Sequence, residues 1–206
     1  MSNPWLNIPL GEYEGHMKAA EVQQLDVLSE LFAEALACCR PTSVAILGVA
    51  GGNGLEHVDS HGITRIVGLD VNPLYLDEVR RRHPDKRGLE LHCVDLAEQV
   101  VDLEPVQMVH AALVFEHAGV DRCLKNSISL VAPGGALSVV LQLPGEFDQG
   151  AVASRFSSMQ KLNSHFSWID PEWLHETLAQ HEFRPIHQAR RSLPAGKGFW
   201  MGIFGR

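Results

Sequence analysis

The stretch Ser43-Val-Ala-Ile-Leu-Gly-Val-Ala-Gly-Gly-Asn-Gly-Leu-Glu56 decides the fold. Val44 to Leu47 is a short apolar run, as in a parallel strand covered by helices on both faces. The run then breaks into Gly51, Gly52 and Gly54, which let the backbone turn sharply and approach a ligand with no Cβ in the way. After the glycines the chain is expected to restart as a helix. Ligands of open α/β sheets bind beyond the carboxyl ends of such strands, so this loop is the candidate binding site.

A dinucleotide fingerprint needs Gly-x-Gly-x-x-Gly, its third small residue allowing close helix–strand packing. Counted from Gly52 the third position is His57, and counted from Ala50 it is Leu55. Neither frame fits. A ligand without a pyrophosphate needs only the tight turn and the close approach, which these glycines supply.

The 206 residues suit one domain with a full core. With 45% hydrophobic and 20% charged residues the composition is that of a globular protein. The net charge of −8 gives no basic footprint for nucleic acid, and Arg80-Arg81-Arg82 reads as a solvated helix end. No apolar stretch reaches the length of a membrane span, and the N-terminus lacks a signal peptide's charged-then-apolar order. A cytoplasmic protein is expected. Cys38, Cys39, Cys93 and Cys123 form no C-x-x-C pair and are expected as reduced core residues.

Residues 1–16 are irregular, with two prolines and two glycines, yet carry Trp5, Leu6, Ile8, Leu10 and Tyr13. That is too apolar for a disordered tail. From Val22 to Cys39 the apolar spacing is helical, and Pro41 stops it. Ile63 to Asp70, Leu89 to Asp95, Val106 to Leu113 and Leu137 to Leu143 read as further strands. Leu74 to His83 reads as a helix behind the capping pair Asn72-Pro73. His110, inside an apolar strand, reads as a hydrogen-bonded core histidine. Pro133-Gly134-Gly135 is a turn that ends a helix and reverses the chain. In 144–168, with Pro144, Gly145 and Gly150, an amphipathic run carries Phe156, Met159, Leu162 and Phe166. Asp170-Pro171 caps another helix, and Glu182 to Ala189 and Phe199 to Phe204 look like two closing strands.

In these motifs the chain resembles class I S-adenosylmethionine-dependent methyltransferases. Their first motif is roughly apolar-apolar-(Asp/Glu)-x-Gly-x-Gly-x-Gly, and Ile46-Leu47-Gly48-Val49-Ala50-Gly51-Gly52-Asn53-Gly54 lies along it. Gly48 stands at the usual acid and Ala50 at the first glycine. The resemblance covers about residues 43–206. It implies an α/β fold: a Rossmann-like, seven-stranded, mostly parallel sheet with helices on both faces and an antiparallel C-terminal strand pair. It also implies a single domain, with 1–42 a lid segment and helix, 43–143 the cofactor-binding core, and 144–206 the substrate-side insertion and closing strands.

The cofactor so implied is S-adenosylmethionine, held by Gly48, Ala50, Gly51, Gly52, Asn53 and Gly54. Asp70, with Val71 and Asn72, takes the ribose, since a strand-end carboxylate can accept from both hydroxyls. Asp95 reaches the adenine amino group, and Leu96 is a wall of the base site. Phe115-Glu116-His117 matches the apolar-Glu-His often found where the fourth strand ends, facing the transferred methyl group. His117 is the first candidate general base, Glu116 its orienting or basic partner, and His16 and His165 stand behind it. Phe166 and Trp168 are aromatic candidates for the acceptor side.

The function expected is methyl transfer to an oxygen or nitrogen atom of a small molecule, by a monomer or homodimer, with no nucleic acid, membrane or metal involved. Glu56-His57-Val-Asp-Ser-His61 has two histidines four apart but lacks the zincin order. Two alternatives remain: a degenerate binding protein of the same fold, which Gly48 keeps open, and an NAD(P)-dependent oxidoreductase, supported by Asp70 and opposed by His57 and Leu55.

Overall fold

The computed structural model describes residues 3–145 and 154–206. Seven strands form one sheet: β1 (Ser43–Leu47), β2 (Arg65–Asp70), β3 (Leu89–Cys93), β4 (Val106–Ala112), β5 (Val131–Leu143), β6 (Arg184–Ser192) and β7 (Gly198–Gly205). Their order is β3-β2-β1-β4-β5-β7-β6. β1 pairs in parallel with β2 and β4, β2 with β3, and β4 with β5, while β7 lies antiparallel between β5 and β6. The expected architecture is therefore present, including the closing antiparallel pair.

The helices are α1 (Leu10–Met17), α2 (Gln24–Cys39), α3 (Pro73–Arg82), α4 (Phe115–Ala118), α5 (Asp121–Leu130), α6 (Ser157–Gln160) and α7 (Pro171–Gln180). Alternation along β1 assigns them to the two faces. Val44 and Ile46 join Leu28, Leu31, Phe32 and Leu36 of α2 and Leu76 and Val79 of α3. Ala45 and Leu47 join Cys123, Leu124 and Leu130 of α5 and Leu174 and Leu178 of α7. Both faces of β1 are thus dry, as its continuous apolar run required. Strand order reverses between β1 and β4, which puts the binding crevice at their carboxyl ends.

Several local expectations are corrected. No α-helix follows the glycine loop: two single 3₁₀ turns, Leu55–His57 and Asp59–His61, stand there instead. Gly54 at φ +90° and Gly62 at φ +69° bracket the span, whose amides bond three residues back, His57 N to Gly54 O and His61 N to Val58 O. The amino-terminal stretch is not irregular throughout, since Pro4–Asn7 forms a 3₁₀ turn and Pro9 opens α1. The 22–39 helix begins only at Gln24, because Gln23 is left-handed. Pro133-Gly134-Gly135 does not separate α5 from its strand. α5 ends at Leu130 and β5 starts at once, the three residues forming a bulge where the β4 register shifts between Val106 and Met108. Gly134 supplies the positive φ there, and Gly135 O accepts from the Arg206 amide. Of the cysteines, only Cys123 is fully in the core; Cys38 and Cys93 are exposed, on the outer side of α2 and at the end of the edge strand β3. Gly150 lies outside the described residues.

Gly54 carries the tightest demand in the loop. Its φ is left-handed, and a Cβ there would come within 2.7 Å of the Phe32 ring in the α2 core. Gly54→Ala is expected to lower stability by about 1–3 kcal/mol, read as a reduced melting temperature. An unchanged melting temperature would mean the loop relaxes freely.

Candidate active site

The site is built on one carboxylate. As β1 ends, the Gly48 and Val49 amides donate to Leu69 O at 2.8 and 3.0 Å, and the chain turns over the end of β2. The Ala50 amide then donates to Asp70 Oδ2 at 2.9 Å, and the Asn72 amide to Oδ1 at 2.9 Å. Asp70 is 6% exposed; burial pushes its pKa up, and the Asn72, Ala50 and Val71 amides pull it back. Gly48 has φ +66° with Val114 Cγ2 3.1 Å from where a Cβ would be, so an acidic side chain at this position would be strained. Ala50 accepts the same cost at φ +47°.

A cavity opens at this point, and Gly48, Ala50, Asp70, Val71, Asp95 and Leu96 form one wall of it. Asp95 sits two residues beyond β3. Its Oδ1 accepts from the Ala97 amide at 3.0 Å and its Oδ2 from Asn3 Nδ2 at 2.9 Å. The amino-terminal segment is strapped over the cavity by further bonds. Asn72 Nδ2 donates to Trp5 O while Asn72 Oδ1 caps α3, and Tyr75 Oη donates to Ile8 O, each at 2.9–3.0 Å. Tyr13 lies under this strap, edge-on to Trp5, its hydroxyl kept protonated by burial and by the Asp70 charge.

The opposite wall holds His117 and Gln142. His117 lies edge-on between Trp5 (centroids 5.0 Å) and Phe166 (5.4 Å). Burial, with His165 nearby, brings its pKa down to about 4, so it is neutral near pH 7 and can accept a proton. His16 also lines the cavity, and burial lowers its pKa, with the Lys197 charge adding to the effect.

Not every candidate reaches the cavity. Phe115 is fully buried in the core beneath α4. Glu116 is 1% exposed and away from the cavity, its Oε1 accepting the Gln142 amide at 2.8 Å. It ties α4 to β5, and nothing places it as a base partner of His117. Gly51 and Asn53 face a smaller cavity that shares Tyr13, Gly48, Ala50 and Ala112 with the first. Asn53 Nδ2 also donates to Leu25 O. Gly52 and Gly54 are there for space, against Leu55 and His83 and against Phe32. His165 is exposed, and Trp168, 40% exposed, stacks edge-on behind Phe166. His110 is the core histidine expected, bonded to Ser138 Oγ at 3.0 Å.

The cavity also uses residues that the sequence did not single out, among them Asn3, Met17, Gln24 and Gln142. The one available signal was at Gln142, a lone amide at the end of an apolar strand. Among the described residues no group of three His, Cys, Asp or Glu side chains could hold a metal ion. His61 Nδ1 instead contacts His57 O at 2.9 Å. No helix in the described residues is long and apolar enough to cross a membrane.

Residues 45–139 match a family model described as a methyltransferase domain. The fold is similar to the N-methyltransferase NodS from Bradyrhizobium japonicum WM9 in complex with S-adenosyl-L-homocysteine. That match has TM-score 0.69 and 14% identity, over 100% of this chain and 99% of that one. It is also similar to the 1,6-didemethyltoxoflavin-N1-methyltransferase of Burkholderia thailandensis, with TM-score 0.65 and 17% identity over 95% and 84%. The [4+2]-cyclase SpnF matches with TM-score 0.68 and 14% identity over 91% and 84%. No curated protein sequence gives a significant match. The fold is that of class I S-adenosylmethionine-dependent methyltransferases, and residues 45–139 match a methyltransferase domain.

The buried Glu116 gives a pH signature. Burial raises its carboxyl from 4.5 to about 7, only partly offset by the Gln142 amide. Between those values the folded state holds the proton that the unfolded state has released. Stability therefore falls as pH rises from about 4.5 to 7, by at most about 3 kcal/mol. Glu116→Gln keeps the acceptor oxygen and removes the charge, so thermal melts of the variant between pH 5 and 8 are expected to lose most of that decline. A parallel decline in both proteins would show that Glu116 is not its source.

Proposed function

We propose that the protein transfers a methyl group from S-adenosylmethionine to an oxygen or nitrogen atom of a small molecule. One observation carries the reading: a single cavity joins Asp70, the glycine loop and Asp95 on one wall with His117 on the other. Asp70 and Asp95 offer acceptor oxygens for ribose hydroxyls and an adenine amino group, and Gly48 offers backbone without a Cβ. Bound there, the cofactor supplies a methyl group already activated on sulfonium. What the chain adds is alignment of the acceptor, exclusion of water by the strap from Asn3 to Tyr13, and a neutral histidine able to take a proton. In this reading His117 is the catalytic base, His16 a second candidate, and Glu116 holds the backbone behind them. Residues 1–42 then serve as lid and helix, 43–143 as the cofactor core and 144–206 as the acceptor side, within one domain.

The charge of −8 and the absence of a basic run beyond Arg80-Arg81-Arg82 favour a small acceptor in the cytoplasm over nucleic acid. A second reading, a binding protein of this fold without turnover, is favoured by Gly48 and by the Asn3 amide already seated on Asp95. Calorimetric titration with S-adenosylhomocysteine tests the cofactor site. Wild type is expected to bind it, and Asp70→Ala to lose about 10- to 100-fold in affinity while remaining folded. No binding by folded wild type would overturn the reading. For turnover, His117→Ala is expected to cut methyl transfer by about 100-fold once an acceptor is in hand, and unchanged turnover would remove His117 from the base role.

A further inference from the structure

The smaller cavity opens beside the larger one and shares Tyr13, Gly48, Ala50 and Ala112 with it. The Ala50 amide donates to Asp70 Oδ2, so the chain leaving a ribose bound on Asp70 would set out along this shared stretch. Beyond it, Leu25, Leu28 and Phe32 of α2 face Gly51 and Asn53 of the glycine loop. Most of that lining is apolar or backbone. Among the described residues one charged side chain lines it, Glu14 of α1. His110 lines it too, but burial brings its pKa down to about 4 and keeps it neutral near pH 7.

The place of the Glu14 carboxylate is well defined. A Cβ on Gly51 would collide with Glu14 Oε1 and stand 3.3 Å from its Cδ, so the carboxylate lies directly over the bare Cα of the loop. Arg82 Nη1 donates to Oε1 and to Gly51 O, and Nη2 donates to Oε2 at 3.0 Å. A carboxylate offers about four acceptor positions, and Arg82 fills two of them. The Glu14 side chain is 19% exposed, which leaves room for a further donor. Its charge also reaches into the site: after burial, Asp70 and Glu14 together keep the Tyr13 hydroxyl protonated, and Tyr13 lines both cavities.

We propose, building on the methyltransferase reading, that Glu14 receives the ammonium of the cofactor's amino-acid end in the smaller cavity. S-adenosylmethionine carries that ammonium on the chain attached to its sulfur, and burying it without a counter-charge is costly. Gly48 leaves the end of β1 without an acid, so the carboxylate comes from α1 instead. Two cations then meet on Glu14: Arg82 of α3, which ties α1 to the loop, and the ammonium of the ligand. The amino-terminal segment is in this way part of the cofactor site as well as its cover. A plain latch between α1 and α3 would use the same ion pair without touching the ligand, and the two roles differ in which ligands feel the loss of the charge.

The test titrates three matched probes by calorimetry: S-adenosylhomocysteine, its analogue with hydrogen in place of the ammonium, and 5′-methylthioadenosine, which lacks the amino-acid end. Wild type is expected to bind S-adenosylhomocysteine about tenfold or more tightly than the deaminated analogue. Glu14→Gln is expected to lose about tenfold on S-adenosylhomocysteine, while the deaminated analogue holds or gains and 5′-methylthioadenosine is unchanged. Glu14→Ala serves the same purpose should the glutamine variant fold poorly. Equal affinity of wild type for the first two probes, a Glu14 variant indifferent on S-adenosylhomocysteine, or a loss equal on all three probes would overturn the inference. So would folded protein that binds 5′-methylthioadenosine but rejects S-adenosylhomocysteine, a result that keeps the nucleoside site. Failure of all three to bind overturns the methyltransferase reading itself, and the inference with it.

Discussion

The Asp70 carboxylate holds the site together. Its two oxygens take backbone N–H groups from the segments that follow β1 and β2, Ala50 in the glycine loop and Asn72 at the start of α3. Remove that bridge and two buried amides lose their partner, while the loop loses its anchor to β2. The strain at Ala50 persists because this bridge and the Leu69 carbonyl over-determine the turn. In the proposed function the same carboxylate meets the ribose, so the residue that builds the loop would also read the ligand.

The second organising feature is the strap. Asn3, Trp5 and Ile8 come from a stretch with no regular pattern, yet they bond to Asp95, Asn72 and Tyr75 across the sheet's carboxyl edge, and Tyr13 stacks on Tyr75 beside them. Trp5 then fixes His117 from above. Asp95, Asn72 and His117 are thus joined by this segment rather than by the sheet alone. Asn3 Nδ2 offers Asp95 the same kind of N–H that an adenine amino group would.

The fold was legible in the sequence where periodicity was strong. The apolar runs of β1, β2 and β4, the α2 stripe and the Asn72-Pro73 and Asp170-Pro171 caps all stand where residue pattern put them. The misses have physical causes. In the glycine-bracketed span after the loop the amides bond three residues back, and the Pro133-Gly134-Gly135 bulge looked like a turn because both need a positive φ. In the site, Asp70, Asp95 and His117 were singled out by the order of the motifs that carry the resemblance, a lone polar residue at a strand end saying little, and all three line the cavity. Gln142 and Asn3 were not singled out, because only the tertiary arrangement brings them to the cavity. Glu116 misled for the converse reason, a side chain adjacent in sequence to His117 but turned into the β5 backbone.

The central claim is that Asp70 and Asp95 divide one nucleoside between them beneath the strap. A crystal structure of the protein with S-adenosylhomocysteine tests it most directly. The account predicts ribose hydroxyls on Asp70, the adenine amino group on Asp95, and the Asn3 carboxamide moved from that oxygen or sharing it. A nucleoside seated elsewhere, with the Asn3–Asp95 bond intact and Asp70 bonded only to its two amides, would contradict it.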